Sequence, residues 1–212
     1  MPTLTAPTAP TTRVAGALPF ALAGLLFVAY PVLRPWADQA PEGMSEAFAS
    51  PAWLAAHLSA AAGFLLVGLG LLALRDRLGT RTARAALVLW WTGAALTLTY
   101  YGAETFALHA LSAQPGLPAL AEAVRMGPTQ VTVFGLGLAL LAVAGVLTAL
   151  ALRPEWTGVP FALGMVLFLP QFFAGPELRI AHGVLLGAGC LLLAVEAARA
   201  RSWGASSKPV HR

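Results

Sequence analysis

Residues 52–74 read AWLAAHLSAAAGFLLVGLGLLAL, and Arg75-Asp76-Arg77 follows at once. His57 is the one ionisable side chain in that run. A helix needs about 20 apolar residues to cross the hydrocarbon of a bilayer. A helix that is apolar all round has no solvent face, so it belongs in a core or in a membrane.

Working outward, five more segments have this character: Val14–Leu33, Ala85–Leu111, Val131–Leu152, Thr157–Phe173 and Ile180–Ala198. Together with Ala52–Leu74 they predict an all-α, polytopic integral membrane protein, a bundle of six transmembrane helices over residues 14–200. Thr157–Phe173 is the shortest and holds Pro160 and Pro170. Residues 1–13, rich in Thr, Ala and Pro, read as a disordered tail, and 201–212 as a basic tail. The first helix is read as uncleaved, because its apolar run exceeds a signal-peptide core and Pro41 follows the small-residue stretch Ala37–Ala40.

Composition agrees. The 212 residues are 58% hydrophobic and 10% charged, with a single cysteine, Cys190. A soluble domain carries about 25% charged residues, so this chain cannot cover a soluble surface. One cysteine excludes a disulfide scaffold. The net charge of +4 raises the question of nucleic acid, but its placement answers it. Ten basic residues (Arg13, Arg75, Arg77, Arg81, Arg84, Arg153, Arg199, Arg201, Lys208 and Arg212) fall on one side of the predicted membrane, against Arg34, Arg125 and Arg179 on the other. Positive charge stays cytoplasmic. The reading is therefore a multi-pass protein of a bacterial-type cytoplasmic membrane with both termini inside. Trp36 and Trp53 fit an outer aromatic belt, and Trp156 and Trp203 an inner one.

Small residues mark close helix packing: Gly183 and Gly187 form a GxxxG, and Ser59 and Gly63 a similar pair. Two hairpins also echo each other. One runs from Phe27 and Pro31 to Ala56-His57, the other from Phe168 and Pro170 to Ala181-His182. A parallel repeat would set His57 and His182 at one depth; shared composition of apolar helices accounts for the echo equally well.

Ionisable groups inside a bilayer are costly and point to function. Here they are His57, Glu104, His109 and His182, with Gln171 and Gln130 at helix ends. At about 1.5 Å per residue all fall in the outer third of the bundle. The inner part holds little beyond Ser and Thr. This predicts an outer polar pocket built on His57, Glu104 and His182, with His109 and Gln171 at the rim, above a closed apolar floor.

Each residue also has a plain reading: Glu104 either protonated and hydrogen-bonded or paired with a His or Arg of another helix, His57 bonded to a main-chain carbonyl, His109 and His182 interfacial, and Gln171 capping carbonyls freed by Pro170. Glu104 and His109 are five residues apart, about 140° around an α-helix, so they do not share a face.

Three chemistries fit the layer. A small molecule or protons could bind from the outer side for sensing or transport. A b-type haem could use His57 and His182 axially, with Arg34 and Arg179 at the propionates. Zinc could use His57, His109 and His182 with Glu104, although no HxxxH or HExxH spacing supports it. No nucleophile elbow, phosphate loop, dinucleotide fingerprint or CxxC is present, so enzymatic activity is not the leading expectation. The partners implied are the lipid bilayer and a small molecule; nucleic acid is not implied. A structural or accessory membrane protein is the plain alternative.

Overall fold

A computed structural model describes residues 11–199, with side chains from Gly16 onward. Among the described residues all regular structure is helical. The tails at 1–10 and 200–212, with Trp203, lie outside the described residues.

Six helices build the wall: α1 (Thr11–Leu33), α3 (Pro51–Leu78), α4 (Arg81–Gly102), α7 (Pro128–Ala151), α8 (Val159–Val166) and α9 (Pro176–Ala198). Three short ones, α2 (Met44–Ala49), α5 (Leu108–Leu111) and α6 (Leu117–Met126), lie in the connections. α1 packs on α3, α3 on α4, α4 on α7, α7 on α8, α8 on α9, and α9 returns to α1. The wall is thus a closed ring in which neighbours in sequence are neighbours in space.

Four of these helices, α1 from Gly16, α3, α7 and α9, are long and apolar enough to cross a membrane, which fits a multi-pass membrane protein. α4 is more polar, beginning with Arg81, Thr82 and Arg84 and ending in two tyrosines. The segment expected over Thr157–Phe173 is broken. α8 keeps eight residues, and the chain then loosens into turns and a 3₁₀ turn at Pro170–Phe173. Pro170 has no N–H to donate and its ring opposes an α-helical turn before it.

Local sequence sets the helix ends. Ser50 accepts from the Ala52 N–H at 3.1 Å and Pro51 occupies the first turn of α3, where a missing N–H is harmless. Gly79, at φ 66°, closes that helix, a left-handed position glycine adopts without strain. Thr80 then caps α4 through the Ala83 N–H.

The axis of the ring is filled with aromatic rings. Phe64, Trp90 and Phe161 are fully buried. Phe64 packs on Phe27, Trp90 and Phe168. The Trp90 indole N–H donates to the Phe64 carbonyl at 3.0 Å, which satisfies a donor that could not otherwise be buried. Glycines set the closest crossings. A Cβ on Gly24 would sit 2.9 Å from the Gly187 carbonyl of α9, and one on Gly93 would sit 2.8 Å from the Gly137 carbonyl of α7. The GxxxG of α9 is therefore a contact with α1.

The two ends of the ring differ. At one end, α2, α5 and α6 and the 3₁₀ turns at 36–43 fold into a cap with its own small core of Phe48, Trp53, Leu108, Leu117 and Ala121. At the other end arginines cluster. There Arg77 Nη2 donates to Glu196 Oε1 at 3.0 Å and Arg77 Nη1 to the Glu196 carbonyl, so the last turn of α3 holds the C-terminus of α9. Cations at a helix C-terminus meet its unpaired carbonyls favourably.

Candidate functional site

Beneath the cap lies a layer of buried charge. Asp38 Oδ2 accepts from Arg34 Nη2 and from Arg125 Nη2, both at 2.7 Å. Arg125 Nε donates to Glu104 Oε1 at 3.0 Å, and Arg34 Nη1 donates to the Tyr30 hydroxyl at 3.0 Å. The run Arg34–Asp38–Arg125–Glu104 joins α1, the first 3₁₀ turn, α6 and the end of α4. It holds two positive and two negative charges. Aromatic faces line it: Trp53 lies beside both Arg34 and Arg125, at 5.2 and 5.7 Å from the guanidinium carbons.

Burial pushes the Asp38 carboxyl up, but Arg34 and Arg125 outweigh it and hold it below the ordinary carboxylate range. Burial likewise opposes the Arg34 charge, and Tyr30, Asp38 and Glu104 overcome that and raise its pKa.

The backbone at Glu104 is special. α4 ends at Gly102 and residues Ala103–Ala107 form a π-helical turn. Such a turn pairs residues five apart and disturbs the α-helical ladder. The Thr105 carbonyl accepts the Trp53 indole N–H at 3.2 Å. The α-helical angle expected between Glu104 and His109 therefore does not hold here. Glu104 reaches Arg125, while His109 Nδ1 donates to the Phe48 carbonyl at 2.7 Å and ties α5 to the cap.

The three described histidines are each committed to a different carbonyl. His57 is fully buried; its Nδ1 donates to Trp53 O at 2.8 Å, and its Nε2 has no partner. Its ring packs against Trp53 and Tyr30. His182 Nε2 donates to the Gly164 carbonyl of α8 at 2.8 Å. The two hairpins do share one motif: Tyr30 meets His57, and Phe168 meets His182, edge to face at 5.4 and 5.2 Å. The nitrogen used differs, so the two imidazoles are not chemically equivalent.

The expected trio of His57, Glu104 and His182 does not converge on one cavity. His182 lines a crevice with Gln171, Arg179, Tyr30, Phe27 and Phe168, about 10 Å³ of it open to a water-sized molecule. His57 and Glu104 do not line it. His57 packs edge to face on Tyr30, and Glu104 belongs to the charge run. Nor does a three-histidine zinc site assemble: among the described residues no group of three or more His, Cys, Asp and Glu is placed to hold a metal ion. For haem, His57 and His182 are each turned to a carbonyl and an aromatic neighbour instead of lining a common slot, and Arg34 is already paired with Asp38.

Two other expectations change. Trp53 is not an interfacial belt residue; it is fully buried at the root of the cap. Gln171 does not cap carbonyls; its Oε1 accepts from Arg179 Nε at 3.0 Å.

Arg179, which the sequence suggested only as a partner for haem propionates, has a different setting here. It is 6% exposed. Its guanidinium sits over Trp36 and Phe172, at 4.9 and 5.0 Å. Cation–π contact offsets part of its desolvation. Yet its Nη2 is buried with no hydrogen-bond partner. Arg34, Asp38, Glu104 and Arg125 are all ion-paired; among the described residues, Arg179 is the buried arginine of the layer that has no carboxylate. A signal was present in the sequence: Arg179 and His182 are three residues apart, which places them on one helix face.

No protein family, curated protein or solved structure matches the chain.

Proposed function

We propose that this is a six-span protein of the cytoplasmic membrane, with both termini cytoplasmic and the cap outside. We further propose that it binds a small molecule in the polar layer beneath the cap, as the recognition step of sensing or transport. The topology rests on the ring order of the six wall helices and on the arginines gathered at the uncapped end. The site is the crevice of Arg179, Gln171 and His182. The Arg34–Asp38–Arg125–Glu104 run and His57 form its supporting wall.

One observation carries this reading: the buried, unpartnered Nη2 of Arg179 on the crevice. A buried unmet donor on a charged group costs several kcal/mol by the usual scale of about 1–3 for a neutral group and more for an ion. A small anion in the crevice removes that cost. The aromatic plug of Phe64, Trp90 and Phe161 lies below, so the site is a pocket and not an open path.

The test is thermal unfolding of the purified protein, read by a thiol dye at the buried Cys190, with acetate, phosphate and chloride. Acetate or phosphate raises Tm in the wild type and not in Arg179→Gln. If no anion raises Tm, or if both proteins respond alike, the site is wrong. Topology is checked separately in a Cys190→Ala background. Glu42→Cys and Glu122→Cys label with an impermeant thiol reagent in whole cells, and Arg81→Cys does not.

A further inference from the structure

Beside the crevice, and sharing Gln171 and His182 with it, an open groove of about 350 Å³ runs along the surface between the unwound end of α8 and α9. Its other walls include Leu167, Leu178, Ala181 and Leu185. Leu167 and Leu178 are 37% and 67% exposed, on the outward side of the ring. The groove therefore opens sideways, and its polar groups sit at the end where it meets Arg179.

We propose, building on the binding reading above, that the ligand is a single-chain amphiphile with a carboxylate head, a long-chain fatty acid in chemical class. It slides in from the outer leaflet between α8 and α9. Its carboxylate accepts from Arg179 Nη2, and its chain lies along Leu167, Leu178 and Leu185.

Three features select this class. The charge run is neutral and Arg179 adds one unpaired positive charge, so a monoanion balances the layer. The guanidinium fork matches a planar carboxylate. The crevice is narrow, which favours the edge of a planar carboxylate over a phosphodiester bearing a glycerol. The groove lies at the small end of the range of about 300–1,000 Å³ for ligand sites, enough for one chain and not for two. The loosened backbone at 167–175 also provides the gap: a regular α8 continued to α9 would close it. Irregular backbone at membrane depth is tolerated where it lines a cavity.

The experiment is equilibrium binding to the full-length protein in uncharged detergent, with palmitate, hexadecanol, acetate and phosphatidylglycerol as probes. Palmitate binds about tenfold or more tighter than hexadecanol, the difference made by one charge-assisted contact. It binds at least about a hundredfold tighter than acetate, because each buried methylene adds to affinity. Arg179→Gln lowers palmitate to the level of hexadecanol. Ala181→Trp, which fills the groove, weakens palmitate and leaves acetate unchanged.

Outcomes separate the two readings. Acetate bound as tightly as palmitate overturns the amphiphile and leaves the anion site standing. Phosphatidylglycerol bound more tightly than palmitate overturns the carboxylate class. Hexadecanol equal to palmitate in the wild type overturns the role of Arg179, whether or not the variants fold. No binding by any probe overturns both readings.

Discussion

Arg125 on α6 donates to Asp38 Oδ2 at 2.7 Å across 87 positions of sequence. The same oxygen takes a second hydrogen bond from Arg34. Asp38 is 1% exposed and Arg125 18%, so solvent screens little of this pair. Its energetic meaning is asymmetric. A buried pair adds little net stability over apolar packing, while removing one partner strands the other charge and costs about 3–5 kcal/mol. Asp38→Ala strands two arginines. It lowers the unfolding free energy by about that amount, read by thiol-dye unfolding at Cys190. Arg125→Ala leaves Asp38 with Arg34 but strands the buried Glu104, so it costs a comparable amount. The double variant is less damaged than the sum, with a coupling of about 0.5–3 kcal/mol. Strict additivity would show that the two side chains do not interact in solution.

The same carboxylate gives the protein an acid limit. The Asp38 pKa is held below its ordinary value of 3.8 by Arg34 and Arg125 against the opposing effect of burial. A depressed folded-state pKa contributes stability above the unfolded value and loses it as pH falls through the folded one. The groups facing Asp38 are Arg34, Arg125 and, through Arg125, Glu104. The cap therefore stays docked at pH 5–7, on the order of the usual stability plateau, and loosens below about pH 4. Tryptophan fluorescence from Trp53 reports it, because Trp53 sits at the root of the cap. Asp38→Asn shows the loosened signal already at neutral pH and little further change on acidification. A wild-type transition that survives unchanged in Asp38→Asn would assign the acid response to another group.

What the sequence made legible follows from range. Five of the wall segments, Val14–Leu33 through Val131–Leu152 and Ile180–Ala198, are visible because apolar length is local information. The polar layer at one end was visible because His57, Glu104, Gln171 and His182 each interrupt an apolar run. The partners of these groups were not visible. Glu104 meets Arg125, 21 residues away, and Arg125 meets Asp38, 87 away; no local pattern encodes either. The cap was read as loop because α2 and α6 are short and are held by Phe48, Trp53 and Leu117, contacts that only the closed ring brings together. Trp53 looked interfacial because it begins a helix after a turn. The π-helical turn, which gives it a carbonyl to bond, has no signature in Tyr100–His109 that periodicity can detect.

That turn has its own consequence. Trp53→Phe keeps the ring packing on His57 and Phe48 but removes the donor to Thr105 O. A buried acceptor left unmet costs about 1–3 kcal/mol. The loss exceeds that of Trp90→Phe only if the π-helical turn also relaxes, since Trp90 likewise donates one indole hydrogen bond, to Phe64 O. Near-ultraviolet circular dichroism with thermal unfolding compares the two. Equal losses mean the turn is held by Glu104 and Arg125 without Trp53.

Two glycines on α7, two residues apart, separate packing from propensity. Replacing a helical glycine by alanine gains about 0.5–1 kcal/mol when nothing obstructs the new methyl. A Cβ on Gly135 meets nothing within 4 Å, so Gly135→Ala stabilises by that amount. A Cβ on Gly137 would sit 2.6 Å from Thr97 Oγ1, 2.9 Å from Thr97 N and 3.0 Å from Gly93 O. Two of those three atoms are backbone and cannot turn aside, so α4 and α7 must move apart. Overpacking of that kind costs about 1–3 kcal/mol, which exceeds the propensity gain, so Gly137→Ala destabilises. The sign therefore reverses between neighbours on one helix, as Tm measured in one detergent will register. Propensity is shared by the two sites and cancels in the comparison. Stabilisation by both variants would mean that the α4–α7 crossing is looser than the backbone contact at Gly93 and Gly137 requires.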